Sequence, residues 1–154
     1  MVKAIVATQE HFDQLNADLR EKDLAECRVF GCEGEDMKNW EYAWALFVDD
    51  DLVGIVGWGL FANATPLSNA RFFMFMTTNK VWKHKLTFVK YSRKVAEFVM
   101  AQLPPWVEHI HSLPMSSYAE SVKWQTKVLG FHYNGEIELN GVKHTRLYKH
   151  RSEV

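Results

Sequence analysis

Apolar and polar positions follow two periods along this chain. Val2 to Ala7 is a short β-like start. After it, Phe12, Leu15, Leu19 and Leu24 recur at helical spacing, and Thr8 stands where a helix N-cap is expected, with Glu10 and His11 in the first turn. This predicts one helix that frays before Gly31, a loop marked by Gly31 and Gly34, and a second short helix from Asp36 through Trp40. Tyr42–Val48 reads as a buried strand, Asp49–Asp51 as a turn and Leu52–Phe61 as the return strand of a hairpin. Gly54, Gly57 and Gly59 within that strand predict a bulge or a close backbone approach. A polar loop, Asn63–Asn69, leads to Arg71–Thr77, an unbroken apolar run of the kind a strand buried on both faces shows. A basic loop over 79–85 follows, then an amphipathic helix outlined by Leu86, Val89, Val95, Phe98, Val99 and Leu103 and stopped by Pro104-Pro105. Val107–Leu113 reads as a strand, and Ala119–Leu129 as a helix ended by Gly130. Phe131–Leu139 and Val142–Tyr148, joined by Asn140-Gly141, form a terminal hairpin.

A helix between two buried strands requires a parallel crossover, whereas the hairpins are antiparallel. The expected fold is therefore α/β (α+β). It is a mixed, mostly antiparallel twisted sheet of about six or seven strands with helices on both faces, built as a single domain over 1–154.

Composition narrows the class. With 154 residues, 47% of them apolar and including ten Phe and six Trp, the chain can bury a real core. No apolar run approaches the ~20 residues of a membrane span, and the N-terminus turns polar too soon for a signal peptide, so a cytoplasmic protein is expected. Cys27 and Cys32 lack the spacing of a redox pair or a zinc half-site and read as two free, mostly buried thiols. The net charge of −1 conceals a split. Residues 10–51 hold 13 acids against 4 bases, and residues 80–94 hold 6 bases and no acid. Such opposed fields suit ligands of opposite sign, or two solvated surfaces. Trp82 beside Lys80 and Lys83 is the one basic–aromatic combination, and the acidic balance elsewhere argues against nucleic acid.

The element order resembles that of the GNAT acetyltransferase superfamily, as does the late helix ending in Leu129-Gly130-Phe131. The run Phe75-Met76-Thr77-Thr78-Asn79-Lys80-Val81-Trp82-Lys83, leading into a basic helix, looks like the acetyltransferase-like small proteins of short-tailed bacteriophages, which include an internal virion protein. That similarity covers about residues 70–148 and implies a phage origin, with the host cytoplasm or the virion as location.

The resemblance implies acetyl-CoA as cofactor and no metal. Its pantetheine would lie along Met76, Thr77 and Thr78, in a slot opened where the strand at Phe72–Thr77 splays from that at Val107–Leu113. In the superfamily a glycine-rich loop then wraps the pyrophosphate with backbone N–H groups at a helix N-terminus. The matching stretch here, 79–86, has no glycine, and Val81 and Trp82 stand where small residues belong. Two readings are open. Lys83, His84 and Lys85 hold the phosphates by side-chain charge, or the site is lost and the fold binds a host or virion protein without catalysis. Acyl transfer to an amine needs a base for the ammonium and an acid for the leaving thiolate. The superfamily's tyrosine acid falls at Gln125 or Thr126, neither of them acidic, which leaves Tyr118 as the nearest phenol, or Ser116 or Ser117 acting through water. Glu41, His109 and His111 are the candidate bases. His109 and His111 share a strand face, but no third metal ligand is apparent. The acidic stretch 10–51 would form the acceptor side and suits an amine or a basic peptide, or equally a basic protein partner.

Overall fold

The computed structural model describes residues 1–153. Seven strands and four helices follow in the order β1 (Val2–Val6), α1 (Gln9–Ala17), α2 (Glu21–Val29), β2 (Tyr42–Val48), β3 (Asp51–Gly59), β4 (Ala70–Thr77), α3 (Lys85–Ala101), β5 (His109–Ser112), α4 (Ala119–Lys127), β6 (His132–Leu139) and β7 (Val142–His150). They form one sheet ordered β1-β2-β3-β4-β5-β7-β6. Only β4 and β5 pair in parallel among the described strands, because α3 carries the chain from one to the other. The expected mixed sheet is what the chain forms.

The two faces of the sheet bury separate clusters. On one, Val95, Ala96, Val99 and Met100 of α3 pack on Trp44, Val56, Phe73 and Leu147. On the other, Phe12 and Leu15 of α1 pack on Trp40, Ala45, Leu52 and Ile55. Phe12 and Leu15 are wholly buried, and each contributes about 1.5–3 kcal/mol to holding α1 on the sheet. Gly57 is the close approach that its sequence position suggested. A Cβ there would meet the Tyr42 carbonyl oxygen at 2.0 Å, so the β2–β3 pairing needs glycine. Gly130 takes φ +76° and turns the chain from α4 into β6.

Three expectations change. The single helix predicted after Thr8 is two, broken at Asp18–Arg20, because Leu19 bridges to Thr78 and the Arg20 N–H bonds the Thr77 carbonyl at 2.9 Å. Those sheet bonds compete with helical ones and win. The second short helix is one 3-10 turn, Met37–Asn39, capped by Asp36. The first turns of α3 overhang the sheet, so Leu86 is 86% exposed and Val89 about half exposed, in place of the continuous buried stripe that the periodicity suggests.

Candidate active site

Strands β4 and β5 pair through three rows only, Ala70–His109, Arg71–Ile110 and Phe72–His111. Beyond Phe72 they part. Thr78 donates its N–H to Val53 on β3 at 3.0 Å, so by strand alternation Met76 and Met74 also face β3, while Phe75 and Thr77 turn their N–H and C=O into the gap. Thr77 is already engaged there. Its N–H and hydroxyl donate to Asp23 Oδ2 at 2.9 and 2.5 Å, and its carbonyl accepts from Arg20. Phe75 is the rung left facing the opening.

Two cavities flank the gap, and both are lined by Asp23, Phe75 and Ser121. The first, of about 360 Å3, lies under α3 and α4 and is walled by Val81, Trp82, Phe88, Tyr118 and Trp124, with Arg20 and Lys85 at its rim. The Arg20 guanidinium stacks on the Tyr118 ring at 4.9 Å and the Trp82 ring at 5.4 Å. Tyr118 is 2% exposed, and its hydroxyl has no partner. At the mouth, the Phe88 N–H is the first in α3 to find a helical acceptor, the His84 carbonyl, so those of Lys85, Leu86 and Thr87 are the unpaired donors of the helix start.

The second cavity, of about 290 Å3, lies toward α2. Phe72–Met76 and Pro114 give it apolar walls, and Asp23, Glu26, Glu35 and Gln125 line it with acceptors. Burial raises the Asp23 carboxyl above its usual range, against the bonds from Thr77 and the charge of Arg20. Burial, and then the neighbouring Asp23, push Glu26 up to about 8. Glu26 Oε1 is buried without a partner, and so is Gln125 Oε1, whose amide nitrogen is held by Ser121 at 3.0 Å. Arg20 Nε, Glu26 Oε1, Tyr118 Oη and Gln125 Oε1 are the buried side-chain atoms without a hydrogen bond among the described residues, and Arg20 Nε faces Asp23 Oδ2 at 3.6 Å as an ion pair. Every one of these residues lines one of the two cavities at the gap. Buried polar groups are ordinarily paired, so this is a place where water or a ligand completes the bonding.

Solved structures share this architecture. Aminoglycoside acetyltransferase AAC(6')-Ib in complex with coenzyme A superposes with a TM-score of 0.70 at 12% identity, over 99% of this chain and 96% of that one. The protein yncA from Salmonella typhimurium with its cofactor acetyl-CoA gives 0.70 at 10% identity, over 98% and 94%. The spermidine N-acetyltransferase from Vibrio cholerae in complex with CoA and spermine gives 0.59 at 11%, over 98% and 96%. The fold is the GNAT fold. No protein-family model matches the sequence, and no curated protein matches it.

On this GNAT scaffold the sequence-derived candidates separate. Tyr118 lines the cleft under α3, as do Thr77 and Lys85, while Met76 lines the α2 cavity. Lys83 and His84 turn away. Lys83 Nζ and His84 Nε2 meet Asp51 Oδ2 at 3.0 and 2.8 Å, and His84 and then Lys83 hold that carboxyl down at about 2. Their expected phosphate role is thus not what the structure arranges: Asp51, at the start of β3, supplies the anion. Thr78 is also internal, donating its hydroxyl to the Leu52 carbonyl at 2.6 Å.

Glu41 and His109 sit at the other end of β4. Glu41 Oε1 accepts from Arg71 Nε and Trp58 Nε1, both at 2.9 Å. Arg71 is fully buried, and its remaining nitrogens donate to the carbonyls of Pro66, Ser68 and Ala70. Six residues of strand, or roughly 20 Å, separate Arg71 from Thr77. His109 Nδ1 bonds the Tyr148 hydroxyl at 3.0 Å, and His111 on the same face has its pKa lowered by burial and then by His109. Glu41 and His109 do not reach the gap, and His111 pairs with Phe72 in the last row before it. Among the described residues no three His, Cys, Asp or Glu gather as metal ligands, and no helix is long and apolar enough to cross a membrane. The thiols also differ from expectation: Cys27 is buried and donates to Glu35 at 3.2 Å, but Cys32 is exposed.

Sequence reasoning missed Arg20, Asp23, Glu26 and Gln125. A usable signal existed for α2. Asp23, Glu26 and Cys27 fall at i, i+3 and i+4 on one face, and a buried cysteine on that face means its acids are turned inward as well. Counting those acids as part of a charged stretch concealed it.

Proposed function

We propose that the chain is an acyl-CoA-dependent N-acyltransferase of phage type with a degenerate phosphate loop, acting on an amine or a basic peptide. The observation that carries this reading is the gathering of unpartnered buried polar atoms around the open end of β4. Acyl-CoA would bring an activated thioester. On this chain the Phe75 backbone and the aromatic wall of Phe88, Tyr118 and Trp124 suit its pantetheine arm. Lys85 and the three free N–H groups of α3 suit its phosphates, without the usual glycine cradle. The unpartnered Tyr118 hydroxyl is placed to protonate a leaving thiolate. The acid-lined cavity across β4 suits a cationic acceptor, which agrees with neighbours crystallised with spermine or an aminoglycoside. Thiol release from acetyl-CoA in the presence of a primary amine tests the reading, and release that Tyr118→Phe leaves unchanged contradicts it.

One set of contacts favours a second reading, in which the chain is a non-catalytic accessory that binds a host or virion protein in the host cytoplasm or the virion. Thr77 has its open edge occupied by Asp23 and Arg20, and Lys83 and His84 are consumed by Asp51. Replacing Lys83, Lys85 and Arg93 together by Glu separates the two. The enzyme loses acetyl-CoA binding and keeps any partner, and the accessory does the reverse.

A further inference from the structure

Within the acyltransferase reading, on which this inference rests, the base remains to be found, since Glu41 and His109 lie at the wrong end of β4. Three observations converge on α2. Glu26 lines the cavity that shares Asp23, Phe75 and Ser121 with the cleft under α3, so a group held there lies next to the gap. Its Oε1 is buried and unpartnered. Across the same cavity Gln125, only 6% exposed, presents a second unpartnered acceptor, fixed in orientation because its amide nitrogen is tied to Ser121. The Met115 backbone N–H bonds the Glu26 carboxyl, and Glu26 Oε1 and Gln125 Oε1, which line one cavity with apolar walls, are left for a ligand head that has donors to give, on an apolar stem. A primary alkylammonium is such a head.

We propose that Glu26 is the proton acceptor for an alkylammonium group bound in this cavity, with Gln125 Oε1 accepting a second N–H and orienting the nitrogen. In the step the N–H bond breaks, an O–H bond forms on Glu26, and the electron pair stays on nitrogen as the free amine. The charged and titratable groups facing Glu26 are Asp23 and Cys27 on its own helix, Arg20 before it, Glu35 in the following loop and His144 across on β7. Asp23 already accepts from Thr77 and Cys27 donates to Glu35, so neither is free for the ammonium as Glu26 is. With the carboxyl raised to about 8, it is about nine-tenths protonated at pH 7. An ammonium beside it favours the ionised form, so binding expels that proton to the buffer.

The test is calorimetry of n-butylamine binding at pH 7 in two buffers of different ionisation enthalpy. The wild-type chain should release close to one proton per amine bound, and its amine affinity should rise several-fold between pH 7 and 9. Glu26→Gln should abolish the release. Gln125→Leu, which keeps the carboxyl, should weaken binding but retain the release. Release that persists in Glu26→Gln, or that disappears in His144→Asn while surviving in Glu26→Gln, overturns the proposal, as does wild-type binding without release. A wild-type chain that binds no n-butylamine at pH 9 overturns it too. Failure of the acyl-CoA reading is separately visible, as absent acetyl-CoA binding with amine-linked proton release intact.

Discussion

The two ends of β4 are built on opposite principles. At the start, Arg71 is fully buried with its guanidinium nitrogens bonded to Glu41 and three carbonyls, and the strand is paired on both edges. At the other end β5 has left, and Arg20, Glu26, Tyr118 and Gln125 each bury an atom with no hydrogen bond. The first arrangement is a completed network, costly to break and chemically inert. The second is incomplete in a way that a ligand could complete. A buried charge is therefore a poor guide to function in this protein. The useful guide is a buried polar atom that nothing in the chain satisfies.

The contrast can be broken most forcefully at the closed end. Glu41→Ala leaves Arg71 as a buried, uncompensated charge and should cost about 3–5 kcal/mol in urea unfolding. If Glu41 were instead the catalytic base, stability would change little and turnover would vanish. At the open end, Tyr118→Phe removes a hydroxyl that bonds to nothing, so unfolding should be no easier than in wild type, while acyl transfer falls about a hundredfold.

Acidity sharpens the comparison further. The folded state holds the Glu26 proton up to about 8, far above the usual carboxyl value, so folding gains from that proton at low pH. The gain is complete below the unfolded carboxyl pKa and is lost as pH rises through about 8, with Asp23 acting in the same direction. Stability should therefore fall steadily from pH 4.5 to 8.5 in urea unfolding, and Glu26→Gln should flatten most of that slope. The smallest effect separates neighbouring lysines. Lys85→Ala should weaken acetyl-CoA binding about fivefold, about 1 kcal/mol, whereas Lys83→Ala, already paired with Asp51, should change it less than twofold.

The architecture was largely readable because it rests on periodicity. The apolar runs Tyr42–Val48 and Arg71–Thr77 and the Gly130 cap each report a local cause. The break at Asp18–Arg20 was not readable, since its cause is a bond to Thr77, distant in sequence. The site was legible only in part. Tyr118 and Lys85 could be placed by their position after β4 and before α4. The sequence reveals that Lys83 and His84 carry charge, but not that Asp51, across a hairpin, has claimed it. Glu26 and Gln125 gain their character from burial beside β4, which no neighbour in the sequence records.

The central claim is that the open end of β4 is a ligand site in this chain and not a remnant. Titration calorimetry with acetyl-CoA tests it most directly. Saturable binding with a micromolar dissociation constant, weakened by Lys85→Ala and indifferent to Lys83→Ala, is the predicted result. No heat at millimolar acetyl-CoA, from a chain whose unfolding transition is cooperative, would contradict it.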